Sequence, residues 1–235
     1  MYPATWGKRL APHSVLTMPT LPTRLLLVRH GESNVTVRQV VGGERTCDGL
    51  SMLGVRQAEA LRERFRAGGE PKVDVLYTST LPRAAQTAEI VADAFGPVPY
   101  HVDADLVEHR PGEADGVPFA EFPDRFELFD LRAEPDRPLA PGGESLRQFY
   151  ERVSTTVRRI VDEYAGATIC VVCHGGVIDN AFRHLLGVGL HAPFDLWTLN
   201  TSLTELRLSN DRWTLLRYND AAHLAGLPER TPPNV

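Results

Sequence analysis

The sequence predicts an α/β protein built on a mostly parallel sheet with an antiparallel edge, and three observations carry that reading. Two short apolar runs, Leu25-Leu26-Leu27-Val28 and Ile169-Cys170-Val171-Val172, have the continuity of strands buried on both faces. Between them, stretches with helical apolar spacing alternate with shorter apolar runs in the βαβ order of a parallel sheet. Near the end, two strand-like stretches flank Asn210-Asp211 and form an edge hairpin. Each of the two apolar runs leads into histidine–glycine, as Arg29-His30-Gly31 and as Cys173-His174-Gly175. Ligands of open α/β sheets bind where strands end at their carboxyl edge. Two histidines and an arginine arriving there from distant parts of the chain make a site for a phosphoryl group.

The elements follow in order. Residues 1–23 read as a flexible extension, because the apolar segment after Lys8 and Arg9 is broken by His13, Ser14 and two prolines. Residues 24–235 read as one domain. Leu25 to His30 is the first strand, followed by a polar loop through Gly42, Gly43 and Gly49. Ser51 caps a helix whose inner stripe is Gly54, Ala58, Leu61 and Phe65. Val73 to Tyr77 is the second strand, and a helix from Thr80 to Phe95 buries Ala84, Ala88, Val91 and Phe95. Val98 to Val102 makes a short third strand. From Glu108 to Gly143 the chain is rich in proline, glycine and charge but carries Phe119, Phe122, Phe126 and Phe129. It reads either as a partly helical excursion over the sheet, where substrate selection often resides, or as a structural loop with its own small core. A long helix then carries Leu146, Phe149, Val153, Val157, Ile160 and Tyr164 on one face. The strand ending at His174 and a helix from Gly176 to Leu186 precede the hairpin of Leu203–Leu208 and Trp213–Tyr218.

Composition narrows the partners. A net charge of −5 argues against general attraction to nucleic acid or an anionic membrane, so phosphate affinity must come from locally placed arginines. No stretch reaches the apolar length of a membrane span. Three cysteines fit no secreted disulfide framework and suggest a reducing cytoplasm. Oligomeric state is not legible.

The segment Arg29-His30-Gly31-Glu32-Ser33 resembles the signature of the histidine phosphatase superfamily, the phosphoglycerate-mutase-like group. Four further segments resemble that family in the same order: Leu50 to Ala58, Tyr77 to Ala88 with Arg83, Gly142 to Leu146, and Cys173-His174-Gly175. Glu108, followed by Gly112 and Gly116, is similar in spacing to the surroundings of the family's acid. The resemblance implies a three-layer α/β/α sandwich and a metal-independent phosphomonoesterase of small phosphorylated metabolites, with no cofactor. It implies His30 as the nucleophile that becomes phosphohistidine, with Arg29, Arg83 and a protonated His174 around the phosphoryl oxygens. Glu108 becomes the acid for the leaving oxygen and then the base for water. Ser33, Thr36 and Gly175 are weaker substrate-binding candidates.

These residue types suit the chemistry. Phosphoryl transfer needs an in-line nucleophile, cations on the equatorial oxygens and a proton for the leaving group. Forked guanidiniums match phosphoryl oxygens, and glycine lets backbone N–H groups approach an anion. Other motifs fall away. Cys170-Val171-Val172-Cys173-His174 spells a haem-attachment pattern, but strand alternation turns its sulfurs to opposite faces. No His-Glu-x-x-His or other clustered set supports a metal. Gly42-Gly43 and Gly142-Gly143 lack the lysine of a phosphate-binding loop, and His223 is left open.

Two alternatives remain. Mutases resembling this group carry Trp-Asn where this chain has Val35-Thr36, and a longer basic insert after the acid. Between Ala114 and Asp136 this chain offers Arg125 and Arg132 amid many carboxylates, which favours the phosphatase over a cofactor-dependent phosphoglycerate mutase. A non-catalytic phospholigand- or protein-binding module is the third reading. Retention of His30, Arg29, Arg83, Glu108 and His174 weighs against it.

Overall fold

The structure is a computed structural model that describes residues 21–228, so most of the N-terminal extension lies outside the described residues. Strand β1 (Thr23–Arg29) is buried almost throughout. A one-turn helix α1 (Asn34–Val37) follows, then α2 (Met52–Arg66), whose N-cap Ser51 accepts the Gly54 N–H at 3.0 Å. Such caps stabilise a helix by about 1 kcal/mol. Strand β2 (Val75–Ser79) leads to α3 (Pro82–Ala92), where proline occupies the first turn and loses no hydrogen bond. An exposed strand β3 (Tyr100–Asp103) closes this half.

The excursion holds two 3₁₀ turns, Ala104–Leu106 at its entrance and Gly112–Ala114, and the short helix α4 (Phe122–Arg125). Helix α5 (Leu146–Glu163) starts at a full capping box. The Ser145 hydroxyl accepts the Gln148 N–H, and the Gln148 side chain accepts the Ser145 N–H. Strand β4 (Thr168–Cys173), helix α6 (Gly175–Leu185) and the hairpin β5 (Leu203–Ser209) and β6 (Arg212–Asp220) complete the chain. Asn210 and Asp211 both take positive φ, 50° and 57°, as a two-residue turn matched to strand twist requires.

The six strands lie in the order β3-β2-β4-β1-β5-β6. The first four pair in parallel, and β5 and β6 add an antiparallel edge. Alternation in the buried strands feeds two cores. Leu25, Leu27, Ile169, Val171 and Cys173 face α5 and α6 through Phe149, Val153, Val157, Ile160 and Ile178. Leu26, Val28, Leu76, Cys170 and Val172 face α2 and α3 through Leu61, Ala84, Ala88 and Val91. This is the α/β/α layering that the sequence implies, with Cys170 and Cys173 on opposite faces. Both thiols are free and buried, and burial pushes each above its usual range.

Element ends move by a few residues. β2 begins and ends two residues later than the sequence reading, because Thr78 and Ser79 remain in the ladder although they are polar. His30 stands just beyond β1, and α6 begins at Gly175. No helix of the described residues is long and apolar enough to cross a membrane.

A network of ion pairs ties the sheet edge to α2. Arg64 bonds Glu70 at 2.7 Å and Asp220, while Arg217 bonds Glu70 and Glu205. The Arg64 guanidinium holds the Asp220 carboxyl well below the usual carboxylate range. A carboxyl depressed on folding contributes stability above its unfolded value of about 4, and that contribution fades as pH falls. Thermal unfolding followed from pH 6 to pH 3 should therefore show Asp220→Asn losing less stability than the unaltered protein. Parallel curves for the two would refute the contribution.

Candidate active site

The site begins with strand register. In the β1–β4 pair Arg29 stands opposite Cys173, and the His30 N–H donates to the Cys173 carbonyl at 2.9 Å. His30 and His174 therefore leave the sheet side by side. Their ring centroids are 5.1 Å apart and tilted by 60°, and both residues are buried. From the other flank the Asn200 amide donates to the His30 carbonyl at 2.9 Å, and the Thr201 N–H donates to the Arg29 carbonyl.

Hydrogen bonds set the tautomer of His30. Its Nδ1 lies 2.6 Å from the Gly31 carbonyl, which only accepts, so Nδ1 carries the proton. Its Nε2 accepts from Arg83 Nε at 3.1 Å, which needs a bare lone pair there. Both contacts agree on a neutral ring with its lone pair on Nε2. Arg83 reaches it from the first turn of α3 and is held by a second bond to the Gly42 carbonyl at 3.1 Å. The glycine loop that lacked a phosphate-binding lysine thus anchors an arginine. Close approach of α2 also matters here: a Cβ on Gly31 would lie 2.5 Å from the Gly54 carbonyl oxygen.

Arg29 donates to the Thr198 carbonyl, and its guanidinium lies beside Gly175 at the start of α6. His174 is fully buried, with Nε2 2.9 Å from the Ser79 hydroxyl, which in turn accepts the Leu81 N–H. Its Nδ1 is buried without a hydrogen-bond partner among the described residues, so Nδ1 is the nitrogen left for a ligand. The sequence reading expected this imidazole to be protonated. Burial first, then the charge of Arg83, pushes it well below the usual histidine range, so the ring stands neutral. A protonated His174 needs the negative charge of a phosphoryl group beside it.

Glu108 is half-buried and held by two amides: Oε1 accepts its neighbour His109 N–H at 2.9 Å, and Oε2 accepts Gly176 N–H at 3.0 Å. That second bond joins the acid to the turn after His174. A Cβ on Gly176 would collide with the Glu108 carboxylate and sit 2.7 Å from Phe149. The rival carboxylates point elsewhere. Asp115 accepts the Gly43 and Arg45 N–H groups at 3.0 and 2.8 Å and the Thr46 hydroxyl, bracing the loop that carries Gly42, while Glu113 is exposed.

The weaker candidates divide. Gly175 lies against Arg29. The Ser33 and Thr36 hydroxyls bond each other at 2.9 Å, with Ser33 fully buried, and Val35 is buried beneath Gly42. His223 bonds Thr201 at 3.0 Å behind the loop of Asn200, which supports that loop from outside the histidine pair. Among the described residues no three His, Cys, Asp or Glu side chains converge on a metal position. Sequence reasoning missed Ser79, Gly42 and Asn200; the polar Thr78-Ser79 ending an otherwise apolar strand was the available signal.

A model of the histidine phosphatase superfamily, branch 1, matches residues 25–221. "Phosphoglycerate mutase-like protein 4" of Arabidopsis thaliana is 33% identical over 205 residues, covering 85% of this chain and 86% of that protein. The "Metal-independent phosphoserine phosphatase" of Arabidopsis thaliana is 29% identical, covering 87% of this chain and 84% of its own length. The solved structure of a mycobacterial glucosyl-3-phosphoglycerate phosphatase with VO3 superposes with a TM-score of 0.71 at 27% identity, over 84% of this chain and 99% of that one. The chain belongs to the histidine phosphatase superfamily.

Ser79→Ala removes the partner of His174 Nε2 and frees the ring to turn. A single hydrogen bond of this kind is worth about 1 kcal/mol. Orthovanadate inhibition should weaken by roughly five- to tenfold with the circular dichroism spectrum unchanged, and an unaltered inhibition constant would dismiss Ser79 from the site.

Proposed function

We propose that this phosphatase is a metal-independent phosphomonoesterase that works through a phosphohistidine on a small phosphorylated metabolite. The observation that carries the reading is the His30 ring, held with Nε2 unprotonated beside Arg83 and 5.1 Å from His174. His30 Nε2 attacks phosphorus in line as the ester P–O bond breaks. Arg83 and Arg29 then hold the equatorial oxygens, together with His174 Nδ1, in place of water. Arg83 Nε gives up its bond to the ring as the lone pair turns to phosphorus. Glu108 delivers a proton to the departing alkoxide, and as carboxylate it takes one from the water that attacks phosphohistidine. That second attack breaks the N–P bond and restores neutral His30.

The phosphatase is favoured over the mutase because the two cations between Ala114 and Asp136 face carboxylates of the protein. Arg125 pairs with Glu121 at 3.9 Å, and Arg132 bonds Asp195 at 2.5 Å and lies 3.5 Å from Asp179. A mutase must grip a second anionic group while its phosphorylated intermediate turns over, and these arginines are met by carboxylates of the protein. Phosphoserine and glucosyl-3-phosphoglycerate, which appear in the names of relatives, are phosphate esters of small hydroxy acids. They support that class of substrate here.

Turnover of p-nitrophenyl phosphate should persist in EDTA and fall by at least about a thousandfold in His30→Ala. Rapid acid-avoiding quench of the native enzyme with a ³²P-labelled substrate should trap label that is stable to base and lost in acid, and that is absent from His30→Ala. Undiminished hydrolysis by the variant removes the nucleophile. With 3-phosphoglycerate and a bisphosphorylated primer, release of inorganic phosphate should outpace formation of 2-phosphoglycerate; the reverse order makes the chain a mutase.

A further inference from the structure

The backbone that carries Glu108 is gripped by one guanidinium from a distant helix. Arg152, on α5, donates through Nη1 to the Asp105 and Val107 carbonyls at 2.8 and 3.0 Å. Through Nη2 it reaches the carbonyl of Glu108 itself at 3.3 Å. The same side chain forks onto Glu144, with Nε to Oε1 at 2.8 Å and Nη2 to Oε2 at 2.7 Å. The pair is almost wholly buried, with side-chain exposures of 9% and 8%.

Glu144 continues the grip on the far side of the acid. Its N–H donates to the Arg110 carbonyl at 2.9 Å, its Oε2 accepts the Arg110 N–H at 3.3 Å, and its carbonyl accepts from His109 Nε2 at 2.7 Å. The His109 ring stacks on Phe149, 5.2 Å between centroids and 10° from parallel. Phe149 abuts Gly176, whose N–H holds Glu108 Oε2. Residues 105–110 are thus clamped before, at and after the acid. Burial raises the Glu144 carboxyl, but the Arg152 guanidinium outweighs it and leaves it below the usual range, so the pair is ionised.

We propose that Arg152 and Glu144 are positioning residues that aim the Glu108 carboxyl at the leaving oxygen. The inference rests on reading Glu108 as the acid. It gives the Gly142-Gly143-Glu144-Ser145 segment a purpose besides capping α5. The demand is for arginine specifically. A planar guanidinium has five donors that can fork onto a carboxylate and still reach three carbonyls, whereas a lysine has three donors on one nitrogen.

Leaving-group dependence separates aiming an acid from holding up a fold. Nitrophenolate departs with little need of a proton, whereas an alkoxide needs one. The test compares kcat/KM for p-nitrophenyl phosphate and for glycerol phosphate, because that parameter covers formation of phosphohistidine and omits its hydrolysis. The variants are Arg152→Lys, Glu144→Gln and Glu108→Gln. General acids contribute about 10²- to 10⁴-fold, so Glu108→Gln should lose about that much on glycerol phosphate and far less on the nitrophenyl ester. Arg152→Lys and Glu144→Gln should show the same selectivity at about 10- to 100-fold, and adding Arg152→Lys to Glu108→Gln should deepen it no further. Equal losses on both substrates, or none, in these two variants overturn the inference while Glu108 stands. Absence of selectivity in Glu108→Gln overturns both. If Arg152→Lys does not fold, Glu144→Gln, which preserves every side-chain heavy-atom position, decides on the same ratio.

Discussion

The site depends on one piece of strand pairing. β1 and β4 are neighbours in parallel with Arg29 opposite Cys173, so both chains leave the sheet at the same level. A slip by one residue would turn His30 or His174 to the other face of the sheet, because side chains alternate along a strand. The register is protected by its surroundings. Leu25 and Leu27 belong to one core and Leu26 and Val28 to the other, and each packs against different helices. The apolar runs that look like ordinary core thus fix the distance between the His30 and His174 rings. Strand β5 pairs the other side of β1 and brings the Asn200–Thr201 turn against the His30 and Arg29 carbonyls.

Around that pair the electrostatics are one-sided. Arg29, Arg83 and the two imidazoles are brought together, and burial first, then these positive surroundings, lower His174 well below the usual histidine range. A dianion entering this space relieves repulsion among the arginines and meets donors already in place. Donors that need no reorganisation are the larger part of transition-state stabilisation. The carboxylates nearby are directed to other work. Asp115 folds the glycine loop, Glu144 is consumed by Arg152, and Glu32 accepts the Ser51 hydroxyl at 2.7 Å. Glu108 is held instead by the Gly176 amide, two residues beyond His174, which brings its carboxylate to the same edge as His30.

The layers, the strand order of chemistry and the principal candidates were legible because they rest on local patterns. Buried parallel strands are continuously apolar, capped helices show their periodicity, and glycine follows each histidine where a turn must open. The boundaries of β2 were less legible, since Thr78 and Ser79 are polar yet buried, and Ser79 is buried in order to meet His174. The downward shift of His174 was also not legible, because burial and neighbouring guanidiniums are three-dimensional facts. The same holds for Arg152. Spacing marks it as a position on α5, and only folding shows three carbonyls from residues 105–108 within reach of it.

That placement bears on how one scaffold keeps its catalytic edge rigid while its excursion differs from the mutase pattern. The excursion is tied down at several points: Arg132 bonds Asp195 and the Leu190 carbonyl and lies 3.5 Å from Asp179, and Arg147 of α5 bonds Asp136. Breaking a buried ion pair by removing one partner typically costs about 3–5 kcal/mol. The Glu144–Arg152 pair therefore serves as a boundary. On its inner side the segment bearing Glu108 is bonded to α5, and on its outer side lies the rest of the excursion. Beyond it Arg125 and Arg132 are met by carboxylates of the protein, which on the proposed reading leaves recognition to a single phosphoryl group.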